Sequence, residues 1–382
     1  MTRAREVSVD FRAEVREWLS ANLVGEFAEL RGLGGPGREH EAFDLRLRWD
    51  RHLAKHRWTC LSWPAEYGGR ALPLEQQVVF HEEYALAAAP ARVNHLGEEL
   101  LGPTILKFGT PEQRQRFLPK IAAVDELWCQ GYSEPGAGSD LASVSTKAVL
   151  DGDEWVITGQ KVWTSFAHLA DWCFVVARTE PGSARHAGLS YLLVPMRQEG
   201  VRVRPIRQLT GTSEFNEVFF DGARTARENV VGAVGDGWRI AMATLGFERG
   251  VATLGQQVGF RRQLDGIAAL AGDDPDPVLR ERLTRARIEL HVMRSHALRT
   301  LGAPPGPDSS VAKLLWAGWH RRLGELAMDV IGASSMVASP ELDGWQRMFL
   351  FSRADTIYGG SDEVQRNIVA ERILGLPREA RA

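Results

Sequence analysis

The spacing of apolar positions divides the chain into three stretches of different period. From about Val9 to Leu127 the spacing is helical, with Phe11, Val15 and Leu19 recurring at i, i+4 and i+8. Within it, Thr110-Pro111-Glu112 predicts a helix start, a hydroxyl N-cap followed by proline at the first helical position. From about Gly131 to Val231 the runs shorten and read as strands. Val149-Leu150-Asp151-Gly152-Asp153 before Trp155-Val156-Ile157 predicts a hairpin turning on Asp-Gly. Trp172 to Val176, Leu189 to Val194 and Val218 to Phe220 are further short apolar runs bounded by Gly, Pro or Asp. From Gly237 long helical patterns return, broken at 272–277 and 303–307. The blocks do not alternate strand with helix, so a doubly wound sheet is not expected. The expectation is a segregated α+β fold with domains at 1–127, 128–232 and 233–382.

Composition narrows the function. The 382 residues suffice for two or three structural units, and 44% apolar with 25% charged residues is the balance of a globular chain. A formal net charge of −3 gives no basic field for nucleic acid. Cys60, Cys129 and Cys173 are odd in number, far apart and without a CxxC pair. That pattern suits a reducing compartment and argues against a disulfide scaffold or zinc knuckle. The first twenty residues are too charged for a signal segment, and no apolar run reaches the ~18 residues of a membrane span. A cytoplasmic protein is expected. His52-Leu-Ala-Lys-His56 has metal-helix spacing but lacks the glutamate after its first histidine, so it reads as a solvated face and no metal is expected. Gly232-Ala-Val-Gly235-Asp-Gly237 does not match GxGxxG, which leaves a Rossmann dinucleotide site unsupported.

Four segments carry candidate chemistry. Gly131-Tyr-Ser-Glu-Pro-Gly-Ala-Gly-Ser-Asp140 is either a domain-crossing turn or a loop whose N–H groups approach an anion or planar ring. Gly159-Gln-Lys-Val-Trp-Thr-Ser165 puts a tryptophan and two hydroxyls near a strand end, where Trp163 reads equally as one of twelve core tryptophans. After Gly237, the residues Ala241, Leu245, Glu248, Ala252, Gly255 and Gly259 fall within about 40° of one line on a helix. That small-residue stripe either packs closely on another helix or leaves room for a ligand. Glu248 at its centre is either a desolvated general base or the partner of a neighbour such as Arg249. Tyr358-Gly-Gly-Ser-Asp-Glu-Val-Gln365 offers Ser361 as an N-cap, with glycines before it that let a ligand approach the helix end.

Together and in this order, these segments resemble the acyl-CoA dehydrogenase family over nearly the whole chain, from Trp63-Pro-Ala-Glu-Tyr-Gly-Gly69 to Gly375-Leu-Pro377. Tyr132-Ser-Glu-Pro-Gly-Ala-Gly-Ser-Asp140 is similar to the family's flavin-loop signature, and Gln160-Lys-Val-Trp163-Thr-Ser165 to its second flavin segment. The resemblance implies a helical bundle, a β-barrel-like middle domain and a second helical bundle. It implies FAD held by Gln130, Tyr132, Ser133, Gly138 and Ser139 on one side, with Ser133 and Ser139 as polar contacts. It stacks Trp163 on the isoalloxazine, sets Thr164 beside it, puts Ser165 near flavin N5, and brings Ser361 and Glu363 to the flavin. Ser139, Arg249, Gly359 and Gly360 fall on positions toward the acyl-CoA. The implied reaction is α,β-dehydrogenation of a thioester to the trans-2-enoyl-CoA, with electrons passed to an electron-transfer flavoprotein.

Three departures from the family's pattern shape the expectation. The common base, a glutamate directly after a tyrosine, is Gly359 here, whereas Glu248-Arg249 matches the minority of members that carry the base on the earlier helix. The family's Arg-x-x-Phe-Gly motif is absent between Gly259 and Leu283. Its Gln-x-x-Gly-Gly loop appears as Asp329-Val-Ile-Gly332-Ala333, where an aspartate would repel a pyrophosphate. Both lost elements serve the flavin of a neighbouring subunit, while the cis elements and the base are kept. That resembles the heterotetrameric acyl-CoA dehydrogenases of bacterial steroid side-chain degradation. The chain is then the base-bearing subunit of an α2β2 assembly with a homologous partner, with a homo-oligomer as the other arrangement. The small stripe suggests a bulky or branched acyl group. Alternatives on the same fold are an oxidase, a flavin monooxygenase, or a non-catalytic partner of an active homologue, which should have lost its base.

Overall fold

The structure, a computed structural model, describes residues 2–247, 252–302, 307–338 and 341–377. Helices α1 (Thr2–Asn22), α2 (Phe43–Lys55), α3 (Leu74–Leu86), α4 (Gly102–Phe108) and α5 (Pro111–Ala122) come first. Eight strands follow: β1 (Trp128–Gly131), β2 (Lys147–Asp151), β3 (Glu154–Ser165), β4 (Trp172–Arg178), β5 (Leu189–Pro195), β6 (Val201–Ile206), β7 (Phe215–Ala226) and β8 (Val230–Val231). The last block holds α6 (Gly237–Phe247), α7 (Ala252–Ala271), α8 (Pro277–Arg299), α9 (Pro307–Ile331), α10 (Gly344–Asp355) and α11 (Asp362–Ile368). The order is helical, then β, then helical: a segregated α+β architecture. Among the described residues no helix is long and apolar enough to cross a membrane.

Packing divides the chain into two compact units, Met1–Leu23 with Leu74–Ala89 and Arg249–Ala382, and Val24–Pro73 with Pro90–Glu248. In the first, the helical spacing of α1 buries Phe11, Val15 and Leu19. Charged side chains cross-link the helices, with Arg12 donating to Glu82 at 2.9 Å and Glu83 at 2.5 Å on α3, and Arg294 of α8 also pairing with Glu82. A second core sits between α7, α8, α9 and α10, built on Phe260, Leu264, Ile267, Leu290, Trp319 and Leu323.

The second unit is built on a mixed sheet in the order β6-β7-β3-β2-β4-β5-β8, with β1 joining parallel to β4. The expected hairpin forms, Asp151 facing Glu154 across a turn where Gly152 has φ 62°. Its central strands are buried on both faces, so side-chain alternation feeds two cores rather than one. Phe174 and Val176 of β4 join Tyr191 and Leu193 of β5 in one cluster with Trp63, Phe117, Trp128 and Ile240. Cys173, Val175, Leu192 and Val194 point the other way, toward Ile157, Val218 and Phe220. Thr110 caps α5 in a full capping box with Gln113.

Cys129 and Cys173, far apart in sequence, become neighbours because β1 lies beside β4, and both thiols are free and buried. The small-residue stripe expected from Gly237 through Gly259 falls on α6 and α7, with 248–251 outside the described residues, and two of its members are packed against protein. Ala241 is fully buried in the sheet core, and a Cβ on Gly255 would lie 2.9 Å from the His81 carbonyl of α3. These positions therefore serve close helix packing. The tightest such contact is elsewhere: a Cβ on Gly102 of α4 would lie 1.7 Å from Cζ2 of buried Trp63. Gly102→Ala should destabilise the protein by roughly 1–3 kcal/mol, read as a lower denaturation midpoint at unchanged slope.

Candidate active site

The site begins where β1 ends. Gly131 has no room for a side chain, since a Cβ would meet Cys173 Sγ at 2.8 Å. Tyr132 is buried edge-on to Phe174 and Tyr191, with centroids 5.9 and 6.2 Å away. The chain then folds into a tight loop in which Glu134 and Ala137 exchange backbone hydrogen bonds of 3.0 Å. From β3, Lys161 reaches beneath it. Its ammonium donates to Tyr132 O at 2.9 Å, Glu134 Oε1 at 2.8 Å and Val176 O at 2.8 Å. The next residue, Val162, donates its N–H to Ser133 O at 2.9 Å. Two segments well separated in sequence are thereby held side by side.

The Lys161 side chain is fully buried and that of Glu134 is 5% exposed. Burial alone would raise the Glu134 carboxyl, but the Lys161 ammonium and the donors from Thr146 and Ser145 outweigh it and hold it at about 2. Burial draws the lysine down while Glu134 pulls it up. All three ammonium protons and both carboxylate oxygens have partners, the condition under which a buried pair is tolerated.

Beyond Lys161 the β3 ladder breaks. Register with β7 passes from Lys161 opposite Val218 to Thr164 opposite Asn216, so β3 carries one extra residue. Trp163 takes the strain, with φ 60°, and its ring is 58% exposed, touched edge-on by Phe215 at 6.1 Å. It is not a core tryptophan. The bulge is held from below by Asn216, fully buried, whose amide donates to Thr164 O at 3.1 Å. The Thr164 hydroxyl is buried with no hydrogen-bond partner among the described residues.

In the other unit, the turn after α10 has φ 64° at Gly359 and 84° at Gly360, backbone that suits glycine. Buried Gln365 donates its amide to Gly359 O at 3.1 Å and Gly360 O at 3.4 Å, tying both carbonyls inward. Ser361 caps α11 as expected, accepting from Val364 N at 3.3 Å, and Glu363 is exposed. Of the other predicted residues, Gln130 lies in β1 opposite Phe174, Ser133 and Ser165 are half-buried, and Gly138 and Ser139 are exposed. Glu248 and Arg249 lie outside the described residues. The aspartate expected to repel a pyrophosphate, Asp329, is itself paired with Arg282 at 2.7 Å, which offsets its charge. Among the described residues no cluster of metal-ligating side chains occurs.

Comparison with known proteins decides what this arrangement belongs to. Three family models cover the chain in order: the acyl-CoA dehydrogenase N-terminal domain over residues 6–125, middle domain over 129–223 and C-terminal domain over 235–374. The chain belongs to the acyl-CoA dehydrogenase family. Acyl-CoA dehydrogenase IpdE1 of Mycobacterium tuberculosis is 66% identical over 380 residues, covering 97% of this chain and 98% of that protein. The solved structure of the Tcur3481-Tcur3483 steroid ACAD is similar with a TM-score of 0.85 at 30% identity, over 98% of each chain. The ChsE4-ChsE5 complex from Mycobacterium tuberculosis gives 0.81 at 29% identity, over 97% of this chain and 98% of that one. This acyl-CoA dehydrogenase is thus a flavin-dependent enzyme of a family that uses FAD.

The residues present fit that cofactor. An exposed indole on a clamped bulge offers a flat face, and the orphaned Thr164 hydroxyl lies beside it. A Cβ on Gly136 or Gly138 would meet nothing within 4 Å, so the loop leaves an open side. Lys161, Glu134, Asn216 and Gln365 escaped the sequence reading of this acyl-CoA dehydrogenase. For Lys161 a signal existed: it falls in the inward phase of β3 with Trp155 and Ile157, where a charged residue demands a buried partner.

Lys161→Met strands the Glu134 carboxylate and should cost about 3–5 kcal/mol in equilibrium unfolding, with Glu134→Gln added back recovering part of it. The pH dependence has a definite sign. Because the folded carboxyl sits below its ordinary 4.5, its contribution is complete above about pH 4.5 and is lost as pH falls toward about 2. Acid titration of stability should show that loss in the wild type and not in Lys161→Met/Glu134→Gln.

Proposed function

We propose that this acyl-CoA dehydrogenase oxidises the Cα–Cβ bond of a bulky or branched acyl-CoA, of the steroid side-chain class, and passes the electrons to an electron-transfer flavoprotein. The observation that carries the reading is Trp163, an exposed ring on a strained bulge clamped beside a pinned glycine loop. A packed core has no use for that arrangement, and a planar cofactor does. The steroid class is supported by the printed description of the Tcur3481-Tcur3483 relative. The acceptor follows from family resemblance. Domain limits at 127/128 and 232/233 belong to the same proposal, supported by the three matched family segments.

FAD, when bound, supplies the two-electron chemistry. Gln130, Tyr132, Ser133, Gly138 and Ser139 would hold it from the glycine loop, Trp163, Thr164 and Ser165 from the β3 bulge, and Ser361 and Glu363 would be further contacts. Glu248, the residue the sequence offers on the small-residue helical stripe, removes the α-proton. Its reach to Cα and the polarisation of the thioester oxygen must coincide, since the proton is acidic only while the carbonyl is polarised. Gly359 and Gly360 supply that polarisation through their N–H groups, their carbonyls being tied back by Gln365. Ser139 and Arg249 orient the CoA thioester.

The working form in this reading is an α2β2 heterotetramer with a homologous chain. Two solved relatives bear paired names, the Tcur3481-Tcur3483 steroid ACAD and the ChsE4-ChsE5 complex. The absence of an Arg-x-x-Phe-Gly motif and the Arg282-paired Asp329 leave this chain without the usual groups for a neighbour's flavin. Co-expression with the homologue encoded beside it should raise FAD occupancy and activity together. Full occupancy and activity of the chain alone would sink the heteromer. In the assembled enzyme Glu248→Gln should lower turnover by about 10²–10⁴-fold while the bound-flavin spectrum persists. Unchanged turnover would assign the base elsewhere.

A further inference from the structure

A buried polar network stands directly behind the Gly359-Gly360 turn. Asp355, the last residue of α10, is 2% exposed. Its Oδ2 lies 2.6 Å from His320 Nδ1 of α9, and its Oδ1 accepts from the Tyr358 hydroxyl at 2.7 Å. The far side of the His320 ring is fixed as well, with Nε2 3.1 Å from Gln263 Oε1 of α7 and the ring stacked on Phe260 at 4.9 Å. Lys313 of α9 donates to the Asp355 carbonyl and lies over the Tyr358 ring, 4.5 Å from its centroid. One carboxylate thus ties α7, α9 and α10 to the residue that precedes the two glycines.

We infer that Asp355 and His320 are positioning residues for the Tyr358-Gly359-Gly360 turn, acting through the Tyr358 hydroxyl; the inference rests on the reading that this turn polarises the thioester. The turn is held from both sides, and Asp362 donates its N–H to Thr356 O at 3.0 Å across its base. Upstream, Tyr358 is held by Asp355 and by its own N–H to Ala354 O at 3.1 Å. Downstream, Gln365 holds the two glycine carbonyls. Between the anchors are two residues with no side chain, both at positive φ, whose backbone has the widest freedom of any residue. Releasing the upstream anchor lets the N–H vectors wander, and hydrogen-bond donors aimed at a developing oxyanion lose effect steeply with misplacement. A buried carboxylate needs partners wherever it stands. This one spends one oxygen on the tyrosine that leads into the turn and the other on a histidine braced from behind, which aims the network at the turn.

The test uses the assembled, FAD-loaded enzyme carrying Asp355→Asn, His320→Gln, Tyr358→Phe, or Asp355→Asn with Tyr358→Phe. Tyr358→Phe keeps the ring packing, so it reports the hydroxyl link even if Asp355→Asn folds poorly. Two rates are measured per bound flavin. One is oxidation of an acyl-CoA that the wild type turns over. The other is deuterium uptake from D2O into the α-carbon of acetyl-CoA, which has no β-hydrogen to lose and so reports carbonyl polarisation and proton removal alone. Each single variant should lose about tenfold in kcat and in exchange with KM changed less than about twofold, and the double variant should lose no more than either single. Rates per flavin equal to wild type, a loss confined to KM or to flavin retention, or multiplicative losses in the double variant would each overturn the inference. The reading beneath it fails separately: a wild type that neither oxidises acyl-CoA nor exchanges the α-proton overturns both, whereas a competent wild type matched by its variants overturns this inference alone.

Discussion

The ion pair between Glu134 and Lys161 is the constraint on which the rest of the candidate site on the sheet unit depends. Removing two charges from water costs several kcal/mol per ion, and the attraction between them repays that only when every remaining hydrogen-bonding site is filled. Here the filling is complete, and the partners it recruits are revealing. Tyr132 O and Glu134 belong to the glycine loop, Val176 O belongs to β4, and Ser145 and Thr146 lead into β2. A methionine and a leucine could fill the same space, yet they would leave the loop free to shift along β3. The ammonium accepts one register only, because its three donors match three oxygens at fixed points. Val162, one residue on, is then aligned to donate to Ser133 O, and Trp163 follows at the bulge.

The same device recurs at each turn of the candidate site. Lys161 draws in the carbonyl of Tyr132, Asn216 that of Thr164, and Gln365 those of Gly359 and Gly360. In each case a buried side-chain donor satisfies backbone oxygens from the protein side, and at the β3 bulge the Trp163 ring stays exposed. Buried carbonyls must be paired in any fold. Pairing them with side chains instead of with a neighbouring strand frees the turn from the ladder and lets it adopt φ values a ladder forbids, as at Trp163, Gly359 and Gly360.

This explains which parts of the protein were legible in its sequence. The architecture was, because period and turn chemistry are local: Asp151-Gly152 marked the hairpin, Thr110 with Gln113 marked the start of α5, and Phe11, Val15 and Leu19 marked the buried face of α1. The glycine loop and Trp163 stood out as residues that ordinary strands avoid. Their supports did not, because Asn216 meets Thr164 only through the β3–β7 register and Asp355 meets His320 only through the packing of α9 on α10. The small-residue stripe left two readings open for a related reason. Ala241 and Gly255 share a helical phase, but one is buried against the sheet and the other against α3, so phase alone could not say what each faced.

The glycine at position 359 ties these threads together. A glutamate there would carry the base on a turn that, at φ 64°, an L side chain adopts at a cost of roughly 1–2 kcal/mol. With glycine the turn is relieved of that strain and of the carboxylate, but it gains conformational freedom at the point where N–H groups need fixed directions. In the proposed reaction, with Glu248 as the base, a second requirement arises, that the vacated turn be held by something other than its own side chains. Gln365 meets it from one end, and the Asp355–Tyr358 link, braced by His320 and Gln263, meets it from the other. In this reading the absence of a base at 359 and the presence of a buried carboxylate four residues earlier are one design: a turn stripped to backbone for catalysis, with its rigidity supplied from the helices behind it.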